Sequence, residues 1–548
     1  AIINWQDFSI SAGETTRFIQ PSSSSAILNR VVGGNASQIH GTLQANGQVY
    51  LINPNGVLVG PGGVVNTGGF LASTLDLSDD AFLRGGDLRF SGNSNASVIN
   101  LGSIGASEGD VILIARTIEN HGEIHAPKGT ASLAAGSEVL VKASGEDRVF
   151  IEAGKGSVTN KGLIEGAAAE IKAAGGNEYA LAINNEGTVR ATGVVNSGGR
   201  IRLVSGGGKI RQAGTLRATK APTATAEADV RVIGKDVEVT ESSRIEAPGG
   251  FVETSGDRIV IAPGSIVDTR TGFGTAGTWL IDPADLNVVT GGGSDITAST
   301  VDPLTVASLL NLSNITLQAT NSITVSNLID ASANAAANSL TLDTVTLNLN
   351  APIILKTGAA LSGSSLLTTV NVGAGGHVQN GIDAVAANGT VNLAATTYNL
   401  PGTVNIAKNV TVNGTAGSTV LDAGNAFRVM TISAGTVTLD GLTLQRGSAV
   451  SGGGLSVEGV TNVTIRNSTI TANRATNNSG SGFFGGGLLT TTSSATISID
   501  RSTISNNTAR FGAGMDHYGT MTITNSTISG NVASSSGGGV YINPGASL

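Results

Sequence analysis

Between residues 100 and 216 the apolar positions follow a short repeated frame: a polar residue, any residue, Gly, any residue, then Ile, Leu or Val. It reads Asn100-Leu101-Gly102-Ser103-Ile104, Asn120-His121-Gly122-Glu123-Ile124 and Asn160-Lys161-Gly162-Leu163-Ile164. Asn185-Glu186-Gly187-Thr188-Val189 and Gln212-Ala213-Gly214-Thr215-Leu216 continue it. Between these units lie alternating runs that begin at Gly, such as Gly109-Asp110-Val111-Ile112-Leu113 and Gly199-Arg200-Ile201-Arg202-Leu203. Period-two alternation over so few residues predicts β-strands. The frame's Gly positions are 20, 40, 25 and 27 residues apart, and the 40 reads as two coils. Two short strands and their turns in each 20–27 residues predict one coil of a parallel β-helix. Asn and Gly suit the corners because both tolerate positive φ.

A second frame runs through the C-terminal part. Gly452-Gly453-Gly454, Gly485-Gly486-Gly487, Gly512-Ala513-Gly514 and Gly537-Gly538-Gly539 recur at intervals of 33, 27 and 25. Asn467-Ser468-Thr469-Ile470, Arg501-Ser502-Thr503-Ile504 and Asn525-Ser526-Thr527-Ile528 lie between them. Stacked in register, the Ile positions would form an internal apolar ladder, and Ser, Thr and Asn would meet their counterparts one coil away. Residues 286–445, with runs such as Leu340-Thr341-Leu342-Asp343-Thr344-Val345, read as strands of the same solenoid with weaker punctuation.

Composition narrows the picture further. The 548 residues include 77 Gly, 3 Met, 2 Trp and no Cys, with 3% aromatic and 13% charged residues. Such a chain lacks the large side chains of one jigsaw-packed core, yet 40% apolar residues and a net charge of -8 exclude a disordered chain. No apolar run reaches the length of a membrane-spanning helix. Zero Cys removes disulfides and thiolate zinc sites, and the acidic balance argues against a nucleic-acid partner. Charge also divides the chain: 52 charged residues precede residue 286 and 18 follow.

The N-terminal segment carries a more specific pattern. Ile2-Ile3-Asn4-Trp5-Gln6-Asp7-Phe8-Ser9-Ile10, Leu28-Asn29-Arg30-Val31 and Asn46-Gly47-Gln48-Val49-Tyr50-Leu51-Ile52-Asn53-Pro54-Asn55-Gly56-Val57 occur in order, followed by Val65-Asn66-Thr67-Gly68-Gly69-Phe70-Leu71-Ala72-Ser73-Thr74. This series resembles the secretion domain of two-partner-secretion exoproteins, the family of filamentous haemagglutinin and the high-molecular-weight adhesins. Gly277-Thr278-Trp279-Leu280-Ile281-Asp282-Pro283 is similar to a junction in such exoproteins, and the triple-Gly units resemble autotransporter passenger repeats. The resemblance implies an all-β, right-handed parallel β-helix with a partial N-terminal cap. It implies export through an outer-membrane transporter with periplasmic modules, to the surface or surroundings of a Gram-negative bacterium. The chain would cross unfolded and fold outside, and the missing Cys fits such threading. A signal peptide and the first cap strands are expected to precede Ala1, and a distal effector to follow residue 548.

The expected divisions are a secretion domain at 1–145, haemagglutinin-type repeats at 146–285, a Thr/Asn-rich continuation at 286–445 and Gly-Gly-Gly/Ser-Thr-Ile repeats at 446–548. Asn53, Pro54, Asn55 and Gly56 are the candidate transporter-recognition motif. On propensity alone the same four residues can simply turn the chain between two strands. A host-cell or glycan receptor is the expected further partner, and adhesion or aggregation the broader role.

Catalytic patterns are weak. Gly105-Ala106-Ser107-Glu108-Gly109 matches a nucleophile elbow, but no helix follows it. Gly480-Ser481-Gly482-Phe483-Phe484-Gly485 matches a dinucleotide fingerprint in a Gly-rich tract, and Gly291-Gly292-Gly293-Ser294-Asp295 occurs once, unlike calcium-binding repeats. His121 and His125 read as solvated turn residues. Asp76, Asp79 and Asp80 suit a surface loop. The sparse acids Asp343, Asp422, Asp440, Asp500 and Asp516 show no spacing that gathers them into a glycan-cleaving groove. No enzyme, cofactor or metal is therefore expected. The alternatives are a secreted β-helix polysaccharide lyase or hydrolase, and a structural self-associating fibre or toxin stalk.

Overall fold

Asn100, Asn120, Asn160 and Asn185 stack one above another with no exposed surface, and each amide passes a hydrogen bond to the next. Nδ2 of Asn100 donates to Oδ1 of Asn120 at 2.8 Å, Asn120 to Asn160 at 2.8 Å, and Asn160 to Asn185 at 2.7 Å. Asn185 then donates to Gln212 Oε1 at 2.8 Å. None of these five residues has a positive φ. The Gly residues two positions on do not either; stacking is what requires them. A methyl group on Gly122 would stand 2.1 Å from the carbonyl oxygen of Gly102, and one on Gly162 2.0 Å from that of Gly122. Close backbone approach, rather than left-handed turning, therefore selects Gly in this frame.

The computed structural model describes residues 1–548 except 177–179, 196, 223, 273, 295–297, 460 and 477–483. It is a parallel β-helix with two compact units. The first comprises Ala1–Leu286, Thr290–Gln318 and Asn334–Asn338, and the second Asn287–Val289, Ala319–Ala333 and Ser339–Leu548.

Three parallel faces, not two, form each coil of the first unit. One face stacks Val57–Val59, Ser97–Asn100, Thr117–Asn120, Ser157–Asn160 and Leu181–Asn185. The next stacks Thr42–Ala45, Val64–Thr67 and Ser103–Ala106, then the starts of the long strands Glu123–Ala135 and Leu163–Ala173. The third stacks Gln48–Ile52, Gly69–Ser73, Val111–Ala115, the ends of those long strands, and Arg200–Ser205. Inward residues alternate along each strand, and Leu113, Leu133, Ile171 and Leu203 form one such column. The 40-residue interval is one coil, since Asn120 pairs directly with Asn160 and Glu123 with Leu163.

The additional residues leave the helix to build a side sheet. Leu88–Ser91, Glu138–Val141 and Val149–Ala153 pair antiparallel, and Leu88, Phe90, Val139, Val141 and Val149 pack on the third face against Leu71, Ile112 and Ile114. Burying Phe90 fully contributes about 2–3 kcal/mol. Glu170, 1% exposed, anchors the sheet by accepting the backbone N–H groups of Arg148 at 2.7 Å and Val149 at 3.0 Å. Burial pushes its carboxyl above the ordinary range, against the pull of Lys172 at 3.4 Å. At the first coils Trp5, Phe8 and Phe18 pack together, with ring centroids 5.4 and 6.5 Å apart.

In the second unit Thr369–Val372, Gly389–Leu393, Val410–Asn413, Gly435–Asp440, Thr461–Arg466, Thr496–Asp500 and Thr520–Thr524 stack as one face. On another, Ile470 stacks on Ile504 and Ile504 on Ile528, the expected apolar ladder. Ser468 N donates to Ser502 Oγ at 3.2 Å, and Asn473 Nδ2 to Asn507 Oδ1 at 3.0 Å. Here positive φ does mark corners: Asn467, Arg501 and Asn525 lie at 51°, 44° and 52°.

Candidate functional site

Asn53-Pro54-Asn55-Gly56 forms a tight turn from Gln48–Ile52 into Val57–Val59. Gly56 N donates to Asn53 O at 3.0 Å and closes it, and Asn55 N donates to Asn53 Oδ1 at 2.9 Å. Pro fixes φ at the second position, and Gly56 alone of the four has positive φ, at 116°. A methyl there would meet Ser97 O at 3.2 Å.

The four residues divide by exposure. Asn53 is wholly buried, and its Nδ2 donates to Asn35 O at 2.9 Å and Ser37 Oγ at 3.0 Å, tying the turn to the preceding coil. Its backbone N donates to Ser73 O in the following coil. Gly56 is buried too, while Pro54 and Asn55 are exposed. Asn55 Nδ2 donates to Gly33 O at 2.8 Å, and Ser94 Oγ donates to Pro54 O at 2.6 Å. The result is a rigid tip made of a proline ring and one amide. Burial of Asn53 was hidden in the sequence, because its partners Asn35 and Ser37 belong to another coil.

The other candidates are dispersed. Ser107 lies in a turn between two strands, with its N donating to Thr67 O. His121 and His125 each meet the Glu two residues earlier, at 3.1 and 3.2 Å. Asp76 and Asp79 both pair with Arg30, and Asp79 and Asp80 open the short helix Asp79–Arg84. Asp440 and Asp500 share an outward row, with Arg466 between them and bonded to Asp440 at 2.9 Å. Asp422 is paired with Arg446, and Asp516 accepts from Phe484 N at 3.2 Å. Residues 480–483 of the Gly-rich fingerprint and Asp295 of the Gly291 segment lie outside the described residues. Among the described residues no group of three His, Cys, Asp or Glu could hold a metal, and no helix is long and apolar enough to cross a membrane.

Residues 1–218 match the TPS secretion domain family. A heme/hemopexin-binding protein of Haemophilus influenzae is 46% identical over 96 residues, covering 18% of this chain and 9% of that protein. A second, from strain Rd, is 31% identical over 282 residues, covering 46% of this chain and 30% of that protein. The chain thus spans less than a third of the length of these curated relatives. The crystal structure of the HMW1 secretion domain from Haemophilus influenzae aligns at 23% identity and a TM-score of 0.40, covering 68% of this chain and 87% of that one. Residues 1–218 thus carry the TPS secretion domain of two-partner-secretion exoproteins, which Gram-negative bacteria secrete.

Proposed function

We propose that the N-terminal segment is handed to an outer-membrane transporter with periplasmic modules, and that the transporter reads the tip Pro54-Asn55. Asn53 and Gly56 hold that tip in shape. The observation that carries this reading is the division of the turn into two sealed and two exposed residues, inside the segment that matches the secretion domain. Residues 1–145 are then the exported signal, and 146–285, 286–445 and 446–548 are the haemagglutinin-type, Thr/Asn-rich and Gly-Gly-Gly/Ser-Thr-Ile repeat segments of its passenger. The broader role is adhesion to a host-cell or glycan receptor, without enzymatic turnover; the pairing of Asp422 and Asp440 with arginines supports a structural use of those acids.

Three variants in a secretion-competent version of the protein test the tip. Pro54→Ala and Asn55→Ala are expected to fold with unchanged circular dichroism and to lose export at least tenfold. Asn53→Ala is expected to lose export together with about 2 kcal/mol of stability, because Ser37 and the turn lose a buried partner. Normal export of the two tip variants overturns the reading.

Capture of heme or hemopexin is a second reading. It is favoured by a similarity to the strain Rd heme/hemopexin-binding protein that runs over 282 residues, more than the 218 of the secretion domain. Binding of purified hemopexin, with and without heme, to the immobilised chain separates it from adhesion.

A further inference from the structure

Eight successive strands of the second unit, from Leu340–Leu349 to Thr520–Thr524, stack in register and turn one face to solvent. The middle outward position of every strand is a Thr, from Thr346 to Thr522, with Ser498 the one exception. Among the described residues no hydroxyl of this row from Thr369 to Thr522 hydrogen-bonds within the protein. On one side runs a row that begins as amides. Asn371 donates to Asn348 at 3.0 Å, Asn392 to Asn371 at 3.1 Å and Asn413 to Asn392 at 3.3 Å. It continues as Asp440, Arg466 and Asp500. On the other side Asn409, Thr436, Asn462, Thr496 and Thr520 are all exposed.

Side chains of similar reach leave no groove along the Thr row, which does not suit a small ligand, and none of the three rows has an aromatic ring for a sugar to stack on. Such a surface can instead meet another like it, because in-register rows of short polar side chains interlock when two β-sheets pack face to face. Charge then sets the direction. Arg466 Nε donates to Asp440 at 2.9 Å, and the remaining N–H donors of Arg466 have no protein partner among the described residues. Two copies running in opposite directions, with a two-fold axis between the coils of Asp440 and Arg466, set Arg466 of each opposite Asp440 of the other. The same register sets Asp500 opposite Asn413, Thr438 opposite Thr464 and Thr411 opposite Ser498, so each carboxylate meets a donor. Moving the axis onto Arg466 would face that residue with itself and Asp440 with Asp500, which like charge disfavours. Copies running in the same direction would lay the charged row over the Thr436 row and pair none of its charges. In the favoured register the coils from Gly389–Leu393 to Thr520–Thr524 overlap. They offer a flat area of about 500 Å² on each copy, and about 1,000 Å² in total is the low end for a specific contact.

We propose that this face binds the same face of a second copy of the chain, running antiparallel, with Arg466 and Asp440 fixing the register. The Thr and Asn rows supply the hydrogen bonds. The contact lies wholly within the second unit and does not rest on how the chain is exported.

Sedimentation equilibrium on the full chain is expected to show a reversible dimer forming at concentrations on the order of 10–100 µM. Thr438→Lys with Thr464→Lys sets ammonium groups opposite one another across the pair, and Thr438→Glu with Thr464→Glu does the same with carboxylates. Each double variant is expected to weaken self-association at least tenfold, through like-charge repulsion. An equal mixture of the two is expected to associate at least as tightly as the native chain, a rescue that misfolded variants would not give. A native chain that stays monomeric through that range, a Lys variant that associates normally, or a mixture that stays apart overturns the proposal. So does a Lys variant that loses binding to cells or glycans while the native chain is monomeric, since the face then serves a receptor.

Discussion

Each amide in the column from Asn100 to Asn185 is both donor and acceptor, so one replacement strands a group on each side. Asn120→Leu leaves Nδ2 of Asn100 and Oδ1 of Asn160 without their shared neighbour. Urea unfolding is expected to show a loss of about 2–4 kcal/mol. Gly122→Ala acts differently, by forcing a methyl against the carbonyl of Gly102, and is expected to lose about 3 kcal/mol or more. Acid response has its own site in the second unit. Burial raises the Asp422 carboxyl, but hydrogen bonds from Arg446, Gln445 and the Gly424 amide outweigh it and hold the group below the usual carboxylate range. An unfolded Asp titrates near about 3.9, so this group stabilises the fold above that pH, and the contribution is lost as pH falls through the lower folded value. Asp422→Asn is therefore expected to lower stability by about 1–3 kcal/mol at pH 7. Denaturation series should show the gap between the two proteins closing toward pH 2.

The side sheet is the element that the repeat pattern hides. The Gly and Ile frame made the coils readable because each coil repeats the same short-range demands: a close approach at Gly162, an inward side chain at Ile164. Its spacing misled at the 40-residue interval, where Glu138–Val141 and Val149–Ala153 leave the helix and return. Alternation in Leu88-Arg89-Phe90-Ser91 and Glu138-Val139-Leu140-Val141 signals strands, but nothing local says that they pair antiparallel across 50 residues. The third strand of each coil was missed for a related reason. Val57-Leu58-Val59 is too short to show a period. The turn at 53–56 was legible as a turn, and its inside–outside division was not, since that depends on neighbouring coils. Phe90→Ala removes the central apolar contact of the side sheet and is expected to lose about 3–5 kcal/mol. Hydrogen exchange should then place the increased opening in Leu88–Ser91, Glu138–Val141 and Val149–Ala153 before the coils.

For the whole molecule the demands of export and of stability meet in the absence of Cys. Stacked residues on adjacent parallel strands lie about 4.8 Å apart, inside the range a disulfide bridges. Thr411 and Thr438 are such a pair, 27 residues apart in sequence. In a secretion-competent version, Thr411→Cys with Thr438→Cys is expected to oxidise before translocation and to block export, with reductant restoring it. Either single substitution is expected to be exported normally; export of the oxidised double variant would show that a closed loop can pass. The in-register stacking of Ser468, Ser502 and Ser526, and of Ile470, Ile504 and Ile528, has a separate consequence for inheritance. Because each coil offers its neighbours nearly the same surface, unequal recombination that drops Gly485–Phe511 would seat Ser526 on Ser468 and Ile528 on Ile470. The length of the exoprotein can thus drift by whole coils while its secretion signal stays untouched.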